Sequence, residues 1–355
     1  MTPFGVYVHV PFCTRRCDYC AFATWDDRFH LVDDYVDALV ADVTRTDVPA
    51  ATSVFFGGGT PSLLTPAQLA RVLDVIARTS DAEVTVECNP DTLDLAKLRG
   101  YRDAGVTRIS LGVQSMVPHV LATLGREHDP ANVERAAEAI VDAGFATWNM
   151  DLIYGSVTES VDDWHATLDA ALALQPPHVS AYGLTVEAGT PLASDPDRHP
   201  DDDDQASEYE LAEAMLTAAG LANYEVSNWA RPGHECAHNQ LYWSQGDYRG
   251  FGCAAHSHEA GRRWWNVRTP ERYIGLVRDG ASTEAAGEML GEEEREVEGL
   301  QLLLRTRDGV PAGALDTTDL DDLVEVRGER VVLTLRGRLL ANEVSLRLQP
   351  AARRP

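Results

Sequence analysis

The chain has 355 residues, with 30 Lys+Arg against 56 Asp+Glu and a formal net charge of -26. That length can bury a large core and build more than one structural unit. The acidity argues against a broad nucleic-acid footprint and against docking on anionic lipid, because phosphate surfaces are met by basic ones. Lys97 is the single lysine, every other basic residue being Arg, which reads as compositional bias. The opening "MTPFGVYVHVPFC" has neither a basic region nor a long apolar run, so no signal peptide is expected. No stretch approaches the roughly 18 uninterrupted apolar residues of a membrane-spanning helix. The expected address is the cytoplasm.

In chain order, "VYVHV" leads into a helical pattern around 32–45, "SVFFGGG" into 66–78 and "EVTVE" into 91–103. "RISLGVQ" precedes helical material from 116 to 143, "TWNMDLIYG" precedes 159–174, and "HVSAYGL" precedes 203–219. Strand and helix alternating at this spacing predict parallel βαβ units. Six are legible, too few for a closed eightfold barrel, so the expected fold is α/β, a partial (β/α)6 barrel open on one side. Gly58–Thr60, Glu87, Gln114 and Asp151 fall at or just after strand C-termini, the end of a barrel that carries chemistry. A doubly wound sheet is the alternative, but "GGGTP" lacks the spaced glycines of a dinucleotide turn. The acidic run Asp201–Asp204 reads as a solvated loop entering a helix whose N-terminus tolerates negative charge.

The texture changes near residue 222, giving three expected regions: 1–222 as the barrel, 223–285 as an aromatic, Gly- and His-rich segment, and 286–355 as a winged-helix-like end. DNA binding is the reflex reading of that last region, but the surrounding negative charge favours a packing or lid role.

Half of the six cysteines crowd into "CTRRCDYC", Cys13, Cys17 and Cys20. Three thiols at this spacing can converge on zinc or on an iron–sulfur cluster. Zinc would need a fourth ligand, with His9 and His30 the nearby candidates. A [4Fe–4S] cluster held by three cysteines instead leaves one iron open for a small molecule. Cys236 and Cys253 read as buried small hydrophobes.

Cys-x3-Cys-x2-Cys after the first strand and "GGGTP" after the second resemble radical S-adenosylmethionine (SAM) proteins. The resemblance implies a partial barrel whose open iron chelates SAM and whose electron cleaves it to a 5′-deoxyadenosyl radical. "YVHVPFCTRRCDYC", "VECNPDT", "RISLGVQS", "LGREHD" and "NMDLIYG" extend it to relatives of oxygen-independent coproporphyrinogen III oxidase. The positions matching SAM contacts are then Tyr7, Tyr19, Gly58, Gly59, Thr60, Glu87, Gln114, Arg126, Asp151 and, less securely spaced, Gly183. Two departures speak against an oxidase. Little chain precedes Tyr7, and Phe22 stands where oxidases carry a further cysteine.

"HNQLYW" is similar to the H-N-x-x-Y-W motif of HemW-type haem chaperones, implying haem binding at His238, Asn239, Tyr242 and Trp243. It also implies delivery of haem to acceptor haemoproteins such as respiratory-chain proteins, a low-potential electron donor, and a homodimer among the partners. A neutral imidazole can ligate haem iron and aromatic rings can face a porphyrin. The residues alone leave His238 equally readable as a hydrogen-bonded core histidine. His256 and His258 are second-choice ligands.

Overall fold

The structure is a computed structural model and describes residues 2–126 and 128–349. Its elements in chain order are β1 (Phe4–Val10), α1 (Val32–Arg45), β2 (Ala51–Gly58), α2 (Pro66–Asp74), β3 (Arg78–Cys88), α3 (Leu95–Asp103), β4 (Arg108–Gln114), α4 (Pro118–Thr123) and α5 (Pro130–Asp142). They continue as β5 (Thr147–Tyr154), α6 (Val161–Ala173), β6 (His178–Gly183), α7 (Asp202–Ala218), β7 (Ala222–Glu225), β8 (Asn228–Ala230), α8 (Ala237–Trp243), β9 (Asp247–Phe251), β10 (His256–Glu259), β11 (Arg262–Asn266), α9 (Pro270–Arg278) and β12 (Glu284–Met289). The C-terminal part holds α10 (Glu292–Leu304), β13 (Val310–Pro311), β14 (Val324–Arg327), β15 (Arg330–Leu333), α11 (Leu335–Leu339) and α12 (Ala341–Ser345).

Strands β1 to β6 pair in sequence order, all parallel. This is the expected partial barrel of six βα units. It does not close, because β6 pairs antiparallel with β8 rather than returning to β1. β1 is buried almost throughout, as strands covered on both faces are. Val6, Val8 and Val10 join the apolar layer that includes Val36 and Leu39 of α1. On the other face a Cβ at Gly57 would meet Tyr7 and Glu87, so these residues point inside the barrel.

Several helix limits differ from the sequence reading for local reasons. The pattern from 66 ends at Asp74, and the chain is extended again from Arg78. The segment expected from 116 to 143 divides into α4 and α5, each opened by Pro at its first turn, where a missing N–H costs nothing. Asp201 caps α7, accepting from the amides of Asp203 and Asp204. The acidic run is therefore a helix start whose negative charges meet the positive end of the helix dipole.

Residues 223–285 add strands to the same sheet. β9 pairs parallel with the free edge of β1, and β10, β11 and β12 extend that side antiparallel. Among the described residues the order is β12-β11-β10-β9-β1-β2-β3-β4-β5-β6-β8-β7. The C-terminal part has its own apolar cluster, including Leu300, Leu304, Val331 and Val344, beside a small sheet ordered β13-β15-β14. That helix-plus-hairpin arrangement matches the winged-helix-like expectation; residues 350–355 of that expected region lie outside the described ones. No helix among the described residues is long and apolar enough to cross a membrane.

Candidate active site

A cavity of about 730 Å³ opens at the C-terminal ends of the barrel strands. Its wall includes Cys13, Cys17 and Cys20 from the loop after β1, Gly58, Gly59 and Thr60 after β2, Glu87, Gln114, Asp151 and Gly183 at later strand ends, and Tyr19 and Arg126. Of the residues matched to SAM contacts, only Tyr7 is not part of that wall. It lies within the barrel, its hydroxyl 3.1 Å from His9 Nδ1.

The three-cysteine loop is held by main-chain bonds. The Cys13 amide donates to Trp25 O at 3.0 Å, Trp25 N–H to Pro11 O at 2.8 Å, and Cys20 N–H to Cys17 O at 3.2 Å. The glycine motif fastens the same loop: Gly59 N–H reaches Val10 O at 2.8 Å and Thr60 N–H reaches Phe12 O at 2.7 Å. These amides bind protein rather than presenting themselves to a ligand. At Gly58, φ is +111° and a Cβ would lie 2.4 Å from the His9 ring, while at Gly59 it would lie 2.6 Å from Phe12 O. Only glycine allows this approach.

All three thiols are unpaired with another cysteine. Burial pushes Cys13 up to about 11 and raises Cys20, so thiolates at this position require nearby positive charge. The Arg126 guanidinium supplies some, with Nη1 3.8 Å from Cys17 Sγ and Nη2 donating to Gly112 O at 2.7 Å. Arg126, matched above to SAM contacts, thus also faces the cysteine loop. Among the described residues no three His, Cys, Asp or Glu side chains close round a single metal ion. His9, a proposed fourth zinc ligand, has both nitrogens engaged, by Tyr7 and by Ala23 O. Three sulfurs facing one cavity without closing on one ion suit a polynuclear cluster better than zinc.

The rest of the wall offers matching polarity for a zwitterionic nucleotide. Glu87 Oε2 accepts from Gly58 N–H at 3.1 Å, and burial, with Asp151 nearby, raises its pKa to about 8. Asp151 accepts from Ser110 Oγ and from Asn149 Nδ2, both at 2.8 Å, and burial raises its pKa also. Gln114 Oε1 and Arg126 Nε are buried with no hydrogen-bond partner, an acceptor and a donor left for a bound molecule. The residues fit a cluster with SAM beside it. Such a cluster, when bound, supplies one-electron reduction at an iron open to a small ligand.

The residues expected to hold haem lie elsewhere. α8 packs near the N-terminal end of β2 and beside β3, away from the cysteines. His238 is 1% exposed. Its Nδ1 is 2.9 Å from Ser53 Oγ and its Nε2 2.8 Å from Tyr242 OH, while its ring stacks on Phe55 at 5.3 Å. The His238 amide donates to Glu83 Oε1, and burial lowers the ring pKa to about 3. His238 and Tyr242 share one helix face, as their spacing implies, yet in this structure they bond each other. Asn239 is half-buried on the same helix, and Trp243 lies under the Arg305 guanidinium at 5.5 Å. His258 is buried with Nδ1 on Gly246 O, whereas His256 is exposed and stacks on Trp265 at 5.5 Å. As folded, α8 is a plug for the barrel floor.

Sequence reasoning passed over His128, Arg15 and Arg16, which also line the cavity, as does Phe22. His128 was within sight, two residues after Arg126 in "LGREHD".

An open parallel barrel with three thiols and buried carboxylates at its C-terminal rim defines a radical SAM domain, and residues 7–171 match the sequence profile of the Radical SAM superfamily. The likeness continues past that domain. Heme chaperone HemW of Mycobacterium tuberculosis H37Rv is 44% identical over 366 residues, covering 96% of this chain and 94% of the relative. Heme chaperone HemW of Escherichia coli K12 is 41% identical over 266 residues, 72% of this chain and 70% of the relative. The chain belongs to the HemW family. Coproporphyrinogen III oxidase HemN from Escherichia coli, described as a radical SAM enzyme, shares the fold with a TM-score of 0.85, at 23% identity, over 97% of this chain and 89% of its own.

Proposed function

We propose that this protein is a haem chaperone: it holds a [4Fe–4S] cluster on Cys13, Cys17 and Cys20 with SAM beside it, binds haem, and passes haem to acceptor haemoproteins such as respiratory-chain proteins. The observation that carries the reading is the near-full-length likeness to relatives named heme chaperones. The cavity supports the cofactor part, because its thiols, orphaned Gln114 and Arg126 atoms and buried Glu87 complement a cluster and a zwitterionic nucleotide. Reduction of the cluster would require a low-potential donor, and the setting would be the cytoplasm. The test is iron and sulfide quantification together with haem titration on one anaerobic preparation. Iron and sulfide in equal amounts with a shifted Soret band support the proposal, and no shift overturns it.

The shared fold with HemN motivates a second reading, radical decarboxylation of coproporphyrinogen III. Incubation with SAM and a strong reductant decides it: a vinyl-bearing product would favour the oxidase.

A further inference from the structure

We infer that His178 is a positioning residue for SAM: acting through Asn149, it fixes the direction in which Asp151 presents its carboxylate to the cavity. This rests on the SAM contact proposed above for Asp151. Strands β4, β5 and β6 place Ser110, Asn149 and His178 side by side in one rung of the sheet. Layers inside such a barrel are ordinarily filled by branched apolar side chains, yet these three are polar and buried. Burying them is costly unless each is hydrogen-bonded, and an apolar layer of the same shape can be as stable as a satisfied polar one. Stability alone therefore does not account for this rung.

The bonds form one connected set. Asn149 Nδ2 donates to Asp151 Oδ1 at 2.8 Å and to Ser110 Oγ at 2.7 Å, and Ser110 Oγ donates to Asp151 Oδ2 at 2.8 Å. Behind them, His178 Nδ1 lies 2.7 Å from Asn149 Oδ1 and Nε2 lies 2.8 Å from Tyr224 OH, which accepts from the Cys236 amide at 3.3 Å. A carboxylate only accepts, so Asn149 turns its NH2 to Asp151 and its oxygen to His178. That oxygen requires a hydrogen on Nδ1. Burial, then the Arg108 guanidinium, holds the His178 pKa well below the ordinary imidazole range, so the ring is neutral at pH 7 and carries one hydrogen. Nε2 is then an acceptor, and the Tyr224 hydroxyl donates to it. Every donor from the Cys236 amide, at the start of α8, to Asp151 points the same way, and bonds in series polarise one another. Burial raises the Asp151 pKa, and the bonds from Ser110 and Asn149 oppose that rise. Both carboxylate oxygens are thus held at fixed angles, with their remaining lone pairs left for a ligand in the cavity that Asp151 lines.

The experiment measures SAM affinity of the anaerobically reconstituted full chain by equilibrium dialysis, comparing wild type with His178→Phe, His178→Asn and His178→Gln. Iron and sulfide content and near-ultraviolet circular dichroism are followed in each. The amide nitrogen of Asn can take the place of Nδ1, and that of Gln the place of Nε2. His178→Phe and His178→Gln should bind SAM at least about tenfold more weakly, the worth of a hydrogen bond to a charged group, with unchanged cluster content. His178→Asn should recover most of the wild-type affinity. In cluster-free wild type labelled with 15N-histidine, NMR at pH 7 should show a neutral ring with its hydrogen on Nδ1, whose signals vanish in His178→Asn. Wild-type affinity in His178→Phe overturns the assignment, as do Asn and Gln variants that bind SAM alike, or a His178 ring with its hydrogen on Nε2. Should the Phe variant fail to fold, the Asn and Gln pair and the tautomer decide. Wild type that binds no SAM overturns the cofactor reading instead, a separate result.

Discussion

Glu87→Gln tests the electrostatics of the cavity floor. The buried carboxyl of Glu87 holds its proton up to about pH 8, against an ordinary value of 4.5. Between those values the folded state binds more protons than the unfolded chain, so stability falls as pH rises through this window. The gap, at about 1.4 kcal/mol for each tenfold change in proton affinity, corresponds to about 5 kcal/mol lost by pH 8.5. Glutamine keeps an oxygen for the Gly58 amide and cannot ionise. Denaturant midpoints of cluster-free wild type and Glu87→Gln should nearly coincide at pH 4.5, and the variant should be more stable by several kcal/mol at pH 8.5. Glu159 is pushed up to about 8 and Glu208 to about 7, both mainly by burial, so wild type and variant share a background slope and only their difference reports on Glu87. Parallel pH profiles would refute the argument. A ligand bringing an ammonium group against Glu87 should flatten the wild-type profile, because opposite charge favours the carboxylate.

Three further outcomes follow from the packing. Gly58→Ala places a methyl against His9 at positive φ and should cost about 2–5 kcal/mol, strain and overpacking together, read as a lower denaturant midpoint and reduced iron uptake on reconstitution. Replacing Cys13, Cys17 or Cys20 by Ala should abolish iron and inorganic sulfide together while circular dichroism is retained; a variant that keeps both would remove that thiol from the ligand set. His238→Phe leaves Ser53 and Tyr242 without their shared partner and should cost about 2–5 kcal/mol, seen in the denaturation midpoint, with cluster content unchanged.

The six βα units are legible in the sequence because each strand is apolar and each helix amphipathic over short stretches, so local pattern and tertiary burial agree. The cysteine loop is legible for a similar reason, since its three thiols are close in sequence. The second half of the sheet is not. β9 carries Asp247, Tyr248 and Arg249 within five residues, a polar strand that exists because β1 offers it an edge. Nothing local announces that pairing. His238 looks like a ligand in one dimension because its partners, Ser53 and Glu83, come from strands more than 150 residues earlier. The glycine motif does mark a place of close approach, but what approaches is the neighbouring loop.

Pairing β1 with β9 has a consequence for biogenesis. The strand that launches the cysteine loop gains one neighbour early, from β2, and its other only when the ribosome has passed residue 251. The α8 plug beneath it arrives equally late. Until then that strand has a naked flank, open to aggregation. The cysteine-bearing end of the molecule is therefore among the last parts to be finished, and iron delivered to it during synthesis would meet an incomplete receptacle.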